Sequence, residues 1–244
     1  MKKLLTSILA GAAVATVACT GAATAGAATM TSSDTPSPEI IGGSYANADW
    51  AVQLVFNQNG GTYGCTGEAI SDSWVLTAQH CVDETTSMNV YYSNDTRNRG
   101  PAIRVDQFKS SSNGDVALVH LSQPKRLSSY PQLADSYTAR AGDTGTIYGY
   151  GLRANRQQAD HLYKADVDVL GRSTDAYGGS AVHIQGDSGA SNHGDSGGPL
   201  FVNGRIVGVC STGDEVDPGA NPQATSNYAN LTASRSWIRS VSGV

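Results

Sequence analysis

The amino-acid sequence predicts an all-β protein. Short apolar stretches alternate with turn residues along most of the 244 residues, at a spacing typical of β-barrels and β-sandwiches. Charged residues make up only 15% of the chain and 28 residues are glycine, a composition that favours short strands and tight turns over long helices. The dipeptide Asn203-Gly204, between two apolar stretches, adds a strong β-hairpin signal.

The apolar stretches predict short strands, each bounded by turn residues. They cover residues 51–56, 68–70, 74–76, 88–92, 116–121, 146–150, 165–170, 199–202 and 206–210. One helix is predicted at residues 231–242, because Leu231, Arg235, Ile238 and Val241 follow three- and four-residue steps. Residues 123–136 carry two prolines and are the predicted linker between two halves.

The N-terminal segment is typical of a secretory signal peptide. Two lysines precede an apolar run over residues 4–18, and Ala25-Gly26-Ala27 offers a cleavage site of small residues. A signal peptide is therefore predicted at residues 1–27, with lipid attachment at Cys19 as the alternative. Residues 28–39 are polar and aperiodic and predict a short leader, so order should begin at Ile40. The predicted product is a secreted, extracellular domain over residues 40–244.

Charge and residue spacing exclude several classes of partner. The net charge of −5 leaves no basic footprint for nucleic acid. The N-terminal apolar run is too short to span a membrane comfortably, so no stable membrane association is expected. The five histidines are scattered without short ligand spacing, so neither a metal site nor a cofactor is predicted. We expect a monomer.

Three cysteines remain once the signal peptide is removed. Export implies an oxidising compartment, where disulfides persist. Cys65 and Cys81 can pair, closing a loop of about 16 residues that stabilises the fold by roughly 3 kcal/mol. Cys210 is left over within an apolar run and is predicted to be a buried, inert thiol.

The stretch "GDSGASNHGDSGG" contains Gly-Asp-Ser-Gly twice, with Ser188 and Ser196 as candidate nucleophiles. The second copy also fits G-x-S-x-G, the nucleophile pattern of α/β-hydrolases. That fold orders its triad as Ser, acid, His, and no histidine follows Ser196. Only His193 follows Ser188, with no strand–helix unit between them. The α/β-hydrolase fold is therefore excluded by chain order.

Four segments carry a different resemblance when they are taken together. They are "IIGG" at residues 40–43, "VLTAQHCV" with His80, "GDVALVHL" with Asp115 and "GDSGGPL" with Ser196. In this order they resemble the trypsin/chymotrypsin family of serine endopeptidases, secreted bacterial members included. The resemblance extends over residues 40–244 and includes a Gly149-Tyr150-Gly151 turn and a Trp-bearing C-terminal helix.

The resemblance implies two six-stranded antiparallel β-barrels, at about residues 40–123 and 137–229, with the active site between them. It implies a serine endopeptidase acting on protein and peptide substrates. Ser196 would be the nucleophile, His80 the base and Asp115 the group that orients the base. The backbone N–H groups of Gly194 and Ser196 would form the oxyanion hole.

The resemblance also implies activation by proteolysis. Cleavage frees an apolar N-terminus, here Ile40, whose ammonium pairs with the Asp beside the nucleophile, here Asp195. A buried carboxylate needs such a partner. Glu39 precedes the cut where the family usually has Arg or Lys, so the activating protease should be acid-preferring or broad rather than trypsin-like.

Substrate preference is predicted from the residues around the implied primary pocket. The pocket base is Ala190, or Ser191 if the alignment slips by one, and Asp187 could enter the pocket if its loop folds differently. Neither base residue is charged, so cleavage after Arg or Lys is not expected and apolar or small polar residues are favoured. The remaining predicted substrate-binding residues are His193 and the edge-strand residues Ser211, Thr212 and Gly213.

Two other functions are compatible with the same motifs. The missing pocket cysteine, where Asn192 stands, and the unusual activation site would suit a catalytically silent homologue that acts as a binding or adhesive protein. The second possibility is an exported, non-enzymatic β-domain in which the motifs are coincidental. Hydrolysis of a protein substrate and covalent labelling of Ser196 separate these functions from an active protease.

Overall fold

The structure is a computed structural model that describes residues 40–244. The predicted signal peptide and leader, with Cys19 and Glu39, lie outside the described residues. The strands are β1 Ile41–Gly42, β2 Ser44–Tyr45, β3 Ala51–Gln58, β4 Gly61–Ala69, β5 Trp74–Thr77, β6 Thr85–Tyr91, β7 Ile103–Ser110, β8 Ala117–Leu121, β9 Thr144–Gly149, β10 Tyr163–Thr174, β11 Ser180–Gly186, β12 Gly189–Ala190, β13 Pro199–Val202, β14 Arg205–Gly213 and β15 Thr225–Asn230. Helix α1 covers Arg235–Ser242, and short 3-10 helices cover Gln79–Cys81, Ala154–Arg156 and Leu231–Ser234.

The first barrel is a closed ring of six antiparallel strands in the order β3-β4-β5-β8-β7-β6. Successive residues of a strand point to opposite faces. In β3, Val52, Leu54 and Phe56 accordingly belong to the barrel core, whereas Ala51 belongs to a different buried cluster, with Tyr150 of the second half. Both faces of this strand are buried because the barrel packs against the rest of the domain.

The second barrel is also a six-stranded antiparallel ring, in the order β11-β15-β14-β13-β9-β10, closed by pairing between β10 and β11. Strand β2 extends the sheet by pairing with β10. The alternation is clear in β10, where Ala165, Val167 and Val169 are buried and the intervening Asp166 and Asp168 are exposed. The predicted pair of six-stranded barrels is confirmed.

A third buried cluster joins the two barrels to the C-terminus. It combines Leu76 and Leu118 of the first barrel with Val209 of the second, and Leu231 and Ile238 of the C-terminal segment. The predicted helix begins as a 3-10 turn at Leu231 and continues as α1. Among the described residues no helix is long and apolar enough to cross a membrane.

Each predicted strand overlaps an observed one, but three full-length strands have no counterpart in the prediction. These are β7, β11 and β15. Their sequences, IRVDQFKS, SAVHIQG and TSNYAN, are rich in polar residues and lack a continuous apolar run. They are strands because neighbouring strands pair with them on both sides.

Candidate active site

A disulfide fixes the segment that carries His80. Cys65 of β4 is bonded to Cys81, with an S–S distance of 2.02 Å. Cys81 ends the 3-10 helix Gln79–Cys81, so His80 is held one residue from the covalent link. The predicted pairing is confirmed, and Cys210 is a free, buried cysteine as predicted.

His80 and Asp115 are joined by two hydrogen bonds. The Nδ1 atom of His80 lies 2.7 Å from Oδ2 of Asp115, and the backbone N–H of His80 donates to Oδ1 over 2.9 Å. Asp115 is fully buried, whereas the His80 side chain is 31% exposed. With Nδ1 directed at the carboxylate, the opposite ring nitrogen is left free to accept a proton.

The Asp115 carboxylate also accepts a hydrogen bond from the hydroxyl of Ser211, over 2.6 Å. Burial by itself raises the pKa of Asp115. The hydrogen bonds from His80 and Ser211, together with the neighbouring imidazole, more than offset burial and hold the pKa of Asp115 below its ordinary value. Asp115 is therefore a buried carboxylate that stays ionised.

Ser196 lies between two cavities, and His80 lines both of them. The first-barrel cavity, of about 530 Å³, is also lined by Gln53, Tyr63 and Arg99. The second-barrel cavity, of about 430 Å³, is also lined by Ser191, Thr212 and Gly213. The Ser196 hydroxyl makes no hydrogen bond to a described residue. Hydrogen bonds between catalytic groups are often long or poorly aligned in the free enzyme and tighten only when substrate binds.

The turn around Ser196 is held by the first barrel. Thr66 of β4 donates its N–H to the Ser196 carbonyl and its hydroxyl to the Gly194 carbonyl, both over 2.9 Å. Gly194 has φ +96°, in the region that favours glycine. Among the described residues, the backbone N–H groups of Gly194 and Ser196 donate to no hydrogen-bond acceptor. Both residues line the first-barrel cavity. These two donors are therefore available to an oxygen atom in that cavity.

Asp195 faces away from the cavities, into the protein. It is 1% exposed, and its carboxylate accepts N–H bonds from Gly151 and Asn192, each 2.8 Å long. Burial raises the pKa of Asp195 to about 7, and the two N–H bonds offset only part of that effect. No cationic side chain of residues 40–244 forms an ion pair with it. Ile40 is also buried, with 1% exposure, in the core of the second barrel.

The predicted pocket residues divide between two environments. Ser191, His193, Ser211, Thr212 and Gly213 line the second-barrel cavity. Ala190 does not, because it lies in β12, pairs with Ile41 of β1 and is 2% exposed.

Asp187 is exposed and lines a separate surface depression with Asp166 and Asp168. It is not brought into the second-barrel cavity.

Strand β14 has an open edge beside the second-barrel cavity. Its residues up to Val209 pair with β13 on one side, whereas Thr212 and Gly213 pair only with β15, on the other. The backbone from Ser211 to Gly213 is thus free on one side to pair with an extended peptide.

Comparison with known proteins decides the family. The family model described as Trypsin matches residues 40–238. The chain belongs to the trypsin family. It is 30% identical to a beta-fibrinogenase-like protein of Daboia siamensis over 225 residues, covering 83% of this chain and 86% of the relative. It is 32% identical to trypsin iota of Drosophila melanogaster, covering 82% of this chain and 86% of the relative.

A solved trypsin-family structure has the same fold. Neuropsin, a serine protease expressed in the limbic system of mouse brain, aligns with a TM-score of 0.63 and 25% identity. The alignment covers 79% of this chain and 94% of neuropsin. Family membership makes this protein a serine endopeptidase that acts on peptide and protein substrates.

Three residues of this trypsin-family protein have no role in the prediction. Thr66 supports the Ser196 turn, and its one sequence signal is its position next to Cys65. Glu215 lines the second-barrel cavity, and the acidic pair Asp214-Glu215, which follows the edge strand, is the sequence signal that could have indicated it.

Glu68 is fully buried and neither of its carboxylate oxygens has a hydrogen-bond partner. Burial raises its pKa well above the ordinary value. Nothing in the sequence of β4 indicates this burial.

One group of metal-ligand side chains occurs within residues 40–244, formed by Cys65, His80 and Cys81. The two cysteine sulfurs are bonded to each other, so neither is available as a thiolate ligand. Disulfide formation, rather than metal binding, accounts for the proximity of the three residues in this trypsin-family protein.

Proposed function

We propose that this protein is a secreted serine endopeptidase that cleaves peptide bonds through Ser196, His80 and Asp115. The observation that carries the proposal is the pair of hydrogen bonds joining His80 to a buried, ionised Asp115, on the wall of both cavities that contain Ser196. Asp115 fixes the tautomer of His80 and stabilises the imidazolium that forms when His80 accepts a proton.

Hydrolysis proceeds in two stages. The Ser196 Oγ attacks the substrate carbonyl carbon while its proton passes to the free ring nitrogen of His80. The amine leaves with that proton, and an acyl group remains on Ser196. A water molecule then attacks the acyl carbon with His80 as base, and the acid product leaves Ser196.

The N–H groups of Gly194 and Ser196 stabilise the negative oxygen that develops in each stage. Support comes from two observations: neither donor has an intramolecular acceptor, and both residues line the first-barrel cavity. Removing one donor of such a pair costs about 10²–10³ in kcat in related chemistry.

We further propose that cleavage after Glu39 activates the protein. The new ammonium group of Ile40 then pairs with Asp195, whose buried carboxylate contacts no cation of residues 40–244. Burial of the Ile40 side chain and the raised pKa of Asp195 support this step. An acid-preferring or broad protease is the activating partner. N-terminal sequencing of the active form should begin at Ile40, and any other start would contradict the pairing.

The second-barrel cavity is proposed to hold the side chain that precedes the cleaved bond. Its wall has hydroxyl groups from Ser191 and Thr212 and the weakly polar Cys210, with the exposed Glu215 as its one carboxylate. Burial raises the pKa of Cys210 to about 12, so the thiol stays neutral. A buried guanidinium or ammonium would lack a buried counter-ion here, because Glu215 is exposed to solvent. Apolar or small polar residues are therefore the preferred substrates, and a peptide-library cleavage profile tests this.

Export through the predicted signal peptide and a monomeric state complete the proposal. Two measurements test the proposed serine endopeptidase activity: hydrolysis of casein, and covalent labelling by a fluorophosphonate inhibitor. Protein that begins at Ile40 should digest casein and carry the label on Ser196. A catalytically silent binding protein would show neither.

A further inference from the structure

The loop between β10 and β11 reaches across from the second barrel to the segment just before β8, where Asp115 lies. Its first residue, Asp175, is 7% exposed and accepts three backbone N–H bonds. Oδ2 accepts the N–H of Asp115 over 3.0 Å, and Oδ1 accepts those of Tyr177 and Gly179, each over 2.9 Å. One oxygen therefore shapes the loop, while the other binds a residue of the opposite barrel.

The same loop makes a second link to Asp115, through Ser211. The N–H of Ala176 donates to the Ser211 hydroxyl over 3.0 Å, and that hydroxyl donates to Oδ2 of Asp115 over 2.6 Å. A hydroxyl has one proton to give. With Ala176 as donor to its oxygen, Ser211 is oriented to give that proton to Asp115. Both the backbone and the carboxylate of Asp115 are thus tied to one loop.

Two glycines allow this close approach. A Cβ atom on Gly114, which has φ +101°, would lie 2.2 Å from Oδ2 of Asp175. A Cβ atom on Gly179 would lie 2.5 Å from the Cα of Gly114. No larger residue fits at either position while the bond from Asp115 to Asp175 is kept. The contact is therefore specified from both barrels.

We infer that Asp175 is a positioning residue for Asp115, holding from the second barrel the carboxylate that orients His80. The inference rests on the proposed function, in which Asp115 serves the proton transfer. Without Asp175 the buried N–H of Asp115 loses its acceptor, which is costly in a buried site. Asp115 then shifts, and its hydrogen bonds to His80 lengthen.

Asp175→Asn is the sharpest test. The single amide oxygen can still accept the N–H bonds of Tyr177 and Gly179 and keep the loop, but the NH₂ group cannot accept the N–H of Asp115. We expect kcat to fall about tenfold to a hundredfold, the loss that a small misplacement of a reacting group can cause. KM should be unchanged. The acidic limb of the kcat/KM profile should move to lower pH, because the imidazolium loses part of its stabilisation.

Tyr177→Phe is the matched control. The Tyr177 hydroxyl donates to Asp83, so the variant removes a different contact of the same loop with the first barrel. It should keep the parent kcat and pH profile. An equal fall in kcat for both variants, or a parent-like kcat and pH profile for Asp175→Asn, would overturn the inference.

A readout independent of activity separates this inference from the proposed function. The NMR resonance of the His80 Nδ1 proton reports its hydrogen bond to Asp115. It should move upfield in Asp175→Asn and stay in place in Tyr177→Phe. If the parent protein hydrolyses nothing, the proposed function fails, and this resonance still decides whether Asp175 positions Asp115. An unmoved resonance in Asp175→Asn refutes the positioning role.

Discussion

The two copies of Gly-Asp-Ser-Gly, at residues 186–189 and 194–197, have the same sequence and opposite environments. In the first copy both Asp187 and Ser188 are exposed, and the Ser188 hydroxyl accepts the N–H of Asp166 over 2.8 Å. In the second copy Asp195 is buried and Ser196 lies between the two cavities. The tetrapeptide alone therefore does not determine what its serine can do.

The two copies differ in what packs against them. The first copy borders the start of the domain, because Gly42 pairs with Gly189 and Gly43 donates its N–H to the Ser188 carbonyl. The second copy is hydrogen-bonded to Thr66 of the first barrel, and Ser196 lines the same two cavities as His80. Contact with the first barrel thus places Ser196 of the second copy in the same two cavities as His80, which is hydrogen-bonded to Asp115.

Substitution of the two serines, Ser188 and Ser196, should show the largest difference between the copies, and the difference is in kcat. Ser196→Ala removes the proposed nucleophile and should lower kcat by about a millionfold, the loss measured for such a deletion in another serine protease. Ser188→Ala should keep the parent kcat, because its hydroxyl holds only the backbone of Asp166. The measurement is peptide hydrolysis by protein that begins at Ile40. A large loss in Ser188→Ala would mean that the two copies are not distinguished as described.

The aspartate pair should differ in the pH dependence of stability, measured by urea unfolding of the uncleaved chain. Burial raises the pKa of Asp195 to about 7, above the ordinary 3.8. The unfolded chain thus ionises at lower pH than the folded one. The free energy of unfolding should therefore fall between pH 4 and pH 7, by as much as about 4 kcal/mol, and then level off.

Asp195→Asn should remove the contribution of Asp195 to this slope, whereas Asp187→Asn, at an exposed position, should leave the slope unchanged. Glu68 is also buried and contributes a slope of the same sign in every variant, so the difference from the parent is the quantity to read. Cleavage before Ile40 should also reduce the slope, because an ammonium partner favours the ionised carboxylate. An identical slope in parent and Asp195→Asn would show that Asp195 is not desolvated.

The glycine pair should show the smallest difference. A Cβ atom on Gly197, which has φ +79°, would lie 2.0 Å from Oγ1 of Thr77 and 2.6 Å from the Thr66 carbonyl oxygen. A Cβ atom on Gly189 would lie 2.7 Å from the nitrogen of Gly43. We expect Gly197→Ala to lower the free energy of unfolding by about 3 kcal/mol, and Gly189→Ala by about 2 kcal/mol.

Gly100→Ala is the control for this comparison. Gly100 has φ +71° and no atom within 4 Å of a Cβ placed there, so it isolates the backbone cost, about 1 kcal/mol. Urea unfolding midpoints give all three values. If Gly197→Ala costs no more than Gly100→Ala, the packing of the second copy against the first barrel is looser than described.

Much of the fold could be predicted from the sequence because its signals are local. Alternating apolar residues mark strands such as β3 and β10, and an Asn-Gly pair marks the turn between β13 and β14. The pairing of Cys65 with Cys81 was predicted because the two cysteines can close a short loop, which leaves Cys210 within an apolar run. Strands β7, β11 and β15 could not be found in this way, because partners distant in sequence make them strands.

The sequence by itself determined the all-β class, the disulfide and the order His80, Asp115, Ser196, since residue type and chain order carry these. Only the tertiary structure decided that Ser191 rather than Ala190 lines the second-barrel cavity, and that Asp187 lies on a different surface. It alone brought Asp175 to Asp115, 60 residues away along the chain. The physical reason is that burial and hydrogen bonding depend on which barrel packs against a residue, and no local pattern encodes that.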